Sequence, residues 1–205
     1  MADAFAGVGA RAIRTAVEIK ELDQVYINDA NPIAIDMARE SSKLNNIEKK
    51  CTFSVNDVCK FLIEHSSKGS RLGMIDLDPF GTPAPYIDCV LRAIKDEGLL
   101  SITATDTPVL CGIYPDVCTR RYYGRSMNVE YGNEIGLRLL LGLISMVASR
   151  LELGIKPLFV HSIRNYLRVY VRVNVGSRYA ESMPSKLGYI HHCFSCSSRT
   201  YTNQT

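Results

Sequence analysis

Met74-Ile75-Asp76-Leu77-Asp78-Pro79-Phe80-Gly81-Thr82-Pro83-Ala84-Pro85 sets two carboxylates at the end of an apolar run and follows them with prolines and a glycine. Such punctuation marks either a plain turn or a loop held rigid for a ligand. Upstream, Asp3-Ala4-Phe5-Ala6-Gly7-Val8-Gly9-Ala10-Arg11 puts two glycines between a short apolar run and a helical one. Glycines there let the backbone approach a nucleotide-like ligand beside a helix N-terminus, or simply satisfy a tight turn. The third glycine of a dinucleotide fingerprint is missing and no Gly-Lys-Ser/Thr follows, which argues against pyrophosphate binding. Val25-Tyr26-Ile27-Asn28-Asp29 ends a second run in an acid. Asp29 is placed either to accept from both hydroxyls of a ribose or to cap the helix that Asn31-Pro32 opens. Val55-Asn56-Asp57 ends a third run, where the carboxylate could accept from an adenine amino group.

Regular elements must hold these ends, and the hydrophobic pattern supplies them. Apolar runs predict strands over 2–6, 24–28, 51–55, 72–78 and 99–105, with helices over 9–20, 32–45, 58–65, 84–97 and 133–151. Alternation of strand and helix implies a parallel sheet covered on both faces. In 84–97, Ile87, Val90, Leu91 and Ile94 recur at helical spacing, and Gly98 stands just beyond the expected C-terminus. Glu134 and Arg138 lie four apart and can pair on one helix face. Residues 156–160 form a short apolar run, and 167–175 alternate strictly, Leu and Val against Arg, Tyr, Arg and Asn. A half-solvated strand suits an antiparallel pair at the end of a parallel sheet. The first loop, Asp29 and Asp57 then all fall at the carboxyl edge, where open α/β sheets bind ligands.

A chain of 205 residues with 46% apolar content fits one domain with a real core. The longest apolar run, 139–148, is well short of the roughly 20 residues of a membrane span. No charged segment followed by a long apolar core opens the chain. The sequence therefore predicts a soluble, intracellular protein with no membrane partner. Its charge is divided unevenly, with 12 Lys/Arg against 15 Asp/Glu in residues 1–100 and 12 against 6 in residues 101–205. A one-sided basic surface is what a polyanion requires, although so mild an excess also occurs in domains that bind none. The seven cysteines, at 51, 59, 89, 111, 118, 193 and 196, are odd in number and scattered. That is no disulfide framework, and it predicts a reducing compartment.

Asp78-Pro79-Phe80-Gly81 stands at the end of the fourth strand, where amino-group methyltransferases carry an Asp/Asn-Pro-Pro-aromatic motif; here the aromatic comes one place early and glycine takes its slot. Five parallel strands followed by an antiparallel pair resemble the seven-stranded sheet of Rossmann-like class I S-adenosylmethionine-dependent methyltransferases. Two longer segments, Leu77-Asp78-Pro79-Phe80-Gly81-Thr82-Pro83-Ala84-Pro85 and Thr103-Ala104-Thr105-Asp106-Thr107-Pro108-Val109-Leu110-Cys111-Gly112, narrow this. With them the chain closely resembles the tRNA guanine-26 N2-dimethyltransferases. Gly9-Ala10-Arg11-Ala12-Ile13-Arg14, Asn28-Asp29, Asn133-Glu134-x-x-Leu137-Arg138 and Arg168-Val169-Tyr170-Val171-Arg172-Val173 extend the likeness over nearly the whole chain.

The resemblance implies S-adenosylmethionine as methyl donor and the exocyclic N2 of a guanine in tRNA as acceptor, giving N2,N2-dimethylguanosine. Asp3, Ala6, Gly7, Gly9, Arg11, Asp29, Asp57 and Asp76 are the donor-binding candidates. Guanine N2 is a poor nucleophile because its lone pair is delocalised into the ring, so a carboxylate accepting from it can both orient it and draw off its proton. Asp78 takes that role, with the Pro79 carbonyl as a second acceptor and Phe80 stacking on the extruded base. Asp76 is the other candidate acceptor, with a paired buried carboxylate as its alternative. Methyl transfer is an in-line displacement governed by positioning and needs no metal. Arg120-Arg121-Tyr122-Tyr123-Gly124-Arg125 interleaves cations with aromatics, so Arg120, Arg121, Tyr122 and Arg125 are RNA-contact candidates, against a solvated loop. Arg168 and Arg172 share a strand face and meet either phosphate or an ion-pair partner. Cys193 and Cys196 form one C-x-x-C, which supplies half a zinc site, so zinc is not expected.

Residues 1–176 read as the methyltransferase domain and 177–205 as a polar, loosely ordered tail that starts a truncated C-terminal region. The family's segment before the first strand and its tRNA-gripping C-terminal domain are not among the 205 residues, and Asn133 stands where the family usually has histidine. The chain therefore reads as a fragment, a truncated gene or a reduced paralogue, acting as a monomer, in the nucleus or mitochondrion if eukaryotic. Two further readings are a non-catalytic RNA-binding module of the same fold and a methyltransferase acting on an amino group of another RNA or a protein.

Overall fold

A computed structural model describes residues 1–203. Seven strands form one sheet: β1 (Ala2–Asp3), β2 (Val25–Asp29), β3 (Cys51–Val55), β4 (Leu72–Leu77), β5 (Ile94–Ala104), β6 (Leu153–Ile163) and β7 (Tyr166–Val175). Their order is β3-β2-β1-β4-β5-β7-β6. The first five pair in parallel, while β7 runs antiparallel to both β5 and β6. This is the mostly parallel sheet expected from the alternating pattern, closed by the expected antiparallel pair. The strand order reverses at β1, between β2 and β4, which is where such sheets open a crevice.

Side-chain alternation assigns the two faces. Val25 and Ile27 of β2 pack with Ala12, Ile13 and Ala16 of α1 (Ala10–Glu18) and Ile35 and Ala38 of α2 (Pro32–Leu44). The opposite face buries Ile75, Leu77, Leu100, Ile102, Val169 and Val171 against α3 (Val58–Glu64), α4 (Ile87–Ala93) and α7 (Gly132–Arg150). Each fully buried Ile or Leu contributes about 1.5–3 kcal/mol relative to exposure, so this face carries most of the fold. By length and apolar composition α7 could cross a membrane. Here it lies on the sheet with Ile135, Leu140, Leu143, Ile144 and Ala148 buried, as a core helix does.

Several expectations are corrected. The helix predicted over 84–97 begins as a 3-10 turn at Ala84–Tyr86 and ends at Ala93, and residues from Ile94 onward belong to β5. Ile94 is fully buried, but through pairing with Leu72 of β4, a burial that fits strand and helix patterns equally. Gly98 lies within β5, close against the Ile94 side chain, rather than past a helix end. The first strand is only two residues, because Ala4 onward is already loop. Two helices between β5 and α7, α5 (Thr107–Leu110) and α6 (Pro115–Tyr122), were not foreseen. The tail is ordered as well: α8 (Ser177–Glu181) is followed by a hairpin of β8 (Gly188–His192) and β9 (Arg199–Asn203). Ala180 and Met183 are buried, and this apolar pair anchors the segment that its polar composition concealed. Cys59 and Cys89 form a disulfide between α3 and α4, a bridge that the scattered cysteines, read as no disulfide framework, did not announce. They are 30 residues apart, and only helix packing brings them together.

Candidate functional site

The chain leaves β1 through Asp3 into the loop that precedes α1. The Ala6 amide donates to the Asn28 carbonyl (2.9 Å), and Gly9 N–H closes a turn on the Ala6 carbonyl (2.9 Å). The two glycines serve different ends. Gly9 has φ +75°, and a Cβ there would lie 3.0 Å from Ala38 Cβ and 3.2 Å from Ile13 Cδ1, so it permits the close approach of α1 and α2. Gly7 has φ +52°, and a Cβ there would meet nothing within 4 Å, so its backbone faces open space at the crevice.

Asp29 lies beside this loop. Its Oδ2 accepts from Gly7 N–H (2.8 Å) and its Oδ1 from Asn31 N–H (2.9 Å). The cap of α2 is Asn31, whose Oδ1 accepts from Ile33 N–H (3.0 Å), so the capping alternative for Asp29 is corrected. Asp57 does cap its helix, with Oδ1 accepting from Cys59 N–H (2.9 Å) and Lys60 N–H (3.2 Å).

Four charged side chains meet where β4 ends. Asp76 is 1% exposed and paired on both oxygens, Oδ2 to Arg11 Nη1 and Oδ1 to Arg168 Nη2. It is thus the paired buried carboxylate, and Arg11, expected at the donor, is an ion-pair partner. Asp78 follows two residues on, three-quarters buried, with Arg11 Nη2 at 2.5 Å and Arg168 Nη1 at 3.6 Å from its Oδ2. Its Oδ1 has no hydrogen-bond partner among the described residues. Asp3 lies in register with Asp76 on the adjacent strand. It is 1% exposed, its Oδ1 is unpartnered, and desolvation followed by the neighbouring Asp76 charge pushes its pKa up to about 7.

The loop after Asp78 is held from β5 and α6. Gly81, at φ +84°, donates its N–H to Thr105 Oγ1 (2.6 Å), and Thr105 N–H donates to the Gly81 carbonyl (2.9 Å). Phe80 is displayed from that loop with its ring fully in solvent, while Pro79 is buried. Tyr122, expected on RNA, is instead 1% exposed: its hydroxyl donates to Asp106 (2.7 Å) and lies 2.8 Å from Thr82 Oγ1. Burial pushes that phenol well above the ordinary tyrosine range. The helix end decides the matter, since α6 stops at Tyr122 and Tyr123 turns outward with φ +55° and 74% exposure. Arg121 pairs with Asp106 and Arg125 with Asp116, whereas Arg120 has no ion-pair partner among the described residues. Arg120, Arg121, Tyr123 and Arg150 line one shallow cleft with Thr82 and Pro85. Tyr123 and Arg150 were missed in sequence: adjacent tyrosines do not reveal which turns inward, and Arg150 reads as an ordinary helix-end cation.

Cys193 and Cys196 are exposed thiols in the β8–β9 turn, and the amides of Cys196 and Ser195 hold the Cys193 thiol below its usual range. No cluster of three or more His, Cys, Asp or Glu is placed to hold a metal among the described residues.

A family model for N2,N2-dimethylguanosine tRNA methyltransferase matches residues 1–205. The chain belongs to that family. A tRNA (guanine(26)-N(2))-dimethyltransferase of Methanothermobacter thermautotrophicus is 38% identical over 203 residues, covering 99% of this chain and 52% of the relative. A tRNA (guanine(26)-N(2)/guanine(27)-N(2))-dimethyltransferase of Aquifex aeolicus is 34% identical, covering 97% of this chain and 50% of the relative. The solved structure of Trm1 from Pyrococcus horikoshii in complex with S-adenosyl-L-methionine superposes with TM-score 0.93 at 30% identity, covering 98% of this chain and 57% of that one. The chain thus spans about half the length of the curated relatives it matches. In this chain the Asp78-Pro79-Phe80 loop and the Gly7 loop leave the carboxyl ends of two paired neighbouring strands, β4 and β1.

Proposed function

We propose that the chain transfers methyl groups from S-adenosylmethionine to the exocyclic N2 of guanine-26 in tRNA. The observation that carries this reading is the end of β4: Asp78 Oδ1 has no hydrogen-bond partner among the described residues, beside a phenylalanine ring wholly in solvent. A fully exposed Phe beside an open carboxylate oxygen suits a flat heterocycle carrying an amino group. The residues present fit the donor. Open space at Gly7 admits a ligand against the loop backbone; in this reading Asp29, hydrogen-bonded to Gly7 N–H, accepts from the ribose hydroxyls, and Asp57, whose Oδ1 caps α3, accepts from the adenine amino group through Oδ2. Bound there, the donor supplies an electrophilic methyl group on a sulfonium.

Asp78 Oδ1 accepts a hydrogen bond from N2, turns its lone pair toward the methyl carbon, and takes the proton released as the carbon–nitrogen bond forms. The Pro79 carbonyl is a second acceptor, and Phe80 holds the base by its face. Arg120 and Tyr123, with Arg121 and Arg150 beside them, offer charge and a ring to the flanking RNA. The archaeal and bacterial tRNA enzymes among the relatives support action inside the cell; the reading takes the chain as a monomer, in nucleus or mitochondrion if eukaryotic. Zinc has no part in this reading.

The test is transfer of labelled methyl from S-adenosylmethionine to unmodified tRNA, with nucleoside analysis and Asp78→Ala alongside. N2,N2-dimethylguanosine that falls by at least about 100-fold in the variant supports the reading. Donor binding with no transfer by the parent chain would sink it and favour an RNA-binding module.

A further inference from the structure

We propose that Arg168 is a positioning residue that sets the reach of Asp78 toward the acceptor amino group. This rests on the reading of Asp78 as the carboxylate that meets N2. Alternation along β7 turns Arg168 to the face that carries Asp76, where the residue is 8% exposed. A buried guanidinium has five N–H donors and no acceptor, and its planar fork fixes where partners can sit. Here Nε and Nη2 donate to Ser101 Oγ (3.0 and 2.8 Å), Nη2 also donates to Asp76 Oδ1, and Nη1 lies 3.6 Å from Asp78 Oδ2. One rigid group therefore ties together β4, β5 and β7.

Arg11 reaches the same Asp78 oxygen from α1, but its side chain is 44% exposed. Arg168 is the anchored member of the pair. Both cations act on Oδ2, which leaves Oδ1 without a hydrogen-bond partner among the described residues. Removing Arg168 would leave Asp76 with Arg11 alone, draw Arg11 inward to the buried carboxylate, and free Asp78 to turn. In the reaction the N2–carbon bond forms, the carbon–sulfur bond breaks with its electron pair left on sulfur, and the N2 proton passes to Asp78. Arg168 gains and loses no bond; it acts through the placement of Oδ1.

The test compares Arg168→Met, Arg168→Lys, Ser101→Ala and Asp78→Ala in the full chain. Expected is a kcat about 100-fold lower in Arg168→Met and about 10-fold lower in Ser101→Ala. KM for tRNA and Kd for S-adenosylmethionine stay within about threefold of the parent. Lysine does not restore the rate, because an ammonium cannot span the three partners, whereas added guanidinium raises the rate of Arg168→Met and urea does not. A crystal structure of Arg168→Met reads the same point without turnover and should show the Asp78 carboxylate turned from its present place. Parental kcat, an unmoved carboxylate, or donor affinity that falls as far as kcat would each overturn the positioning role. Loss of methylation in Asp78→Ala with parental rates in Arg168→Met would overturn that role alone; activity retained in Asp78→Ala would overturn the reading on which it rests.

Discussion

Asp3 and Asp76 face each other across neighbouring strands, yet only Asp76 has cations on both oxygens. Burial and the Asp76 charge raise the Asp3 pKa to about 7, so the native state holds a proton there that the unfolded chain releases near pH 4. Stability from this group is therefore fully present below its unfolded pKa and is lost as pH rises toward 7. Asp3→Asn removes the penalty. The variant should gain on the order of 2–4 kcal/mol relative to the parent between pH 5 and pH 8, read by urea denaturation at both values. An equal difference at both pH values would show that Asp3 titrates normally.

Elements are placed by a few close backbone approaches. Gly112 follows α5 with φ +98°, and a Cβ there would fall 2.1 Å from Asn128 N and Met127 C, backbone atoms that cannot yield. Gly7 shares a positive φ but has open space around it. Gly112→Ala should therefore cost about 3 kcal/mol or more, and Gly7→Ala about 1 kcal/mol from its left-handed backbone alone. Thermal melts of the two variants separate a steric requirement from a conformational one, and equal losses would refute it. The same measurement on Gly7→Ala, made with S-adenosylmethionine present, reports whether the open space belongs to the donor. Loss of donor-induced stabilisation is the expected outcome.

Across the whole molecule, the cations of the second half are not equivalent. Arg121 and Arg125 are engaged by Asp106 and Asp116, while Arg120 is unpaired among the described residues and lines the cleft beside the Asp78 loop. Arg120→Ala should weaken tRNA binding uniformly across sequences and reduce the salt slope of log K by about 1. Arg125→Ala should change the slope less, because Asp116 is left as a new repulsive charge only at an exposed site. Filter binding at several salt concentrations measures both, and identical slopes for Arg120→Ala and the parent would remove Arg120 from the interface.

Strand–helix alternation, the carboxyl-edge acids and the Asp78-Pro79-Phe80 loop were legible in sequence because they are local: a period of two or 3.6 and a run of prolines need no distant partner. The family likeness was legible for the same reason, carried by contiguous motifs. The pairing of Asp76 with both Arg11 and Arg168, 65 and 92 residues away, was not. Nor were the inward turn of Tyr122, the Cys59–Cys89 bridge, or the exchange of Ile94 from helix to strand. Each depends on which groups arrive from other strands and helices to desolvate a side chain and supply its partner, and that is decided only when the sheet closes around it.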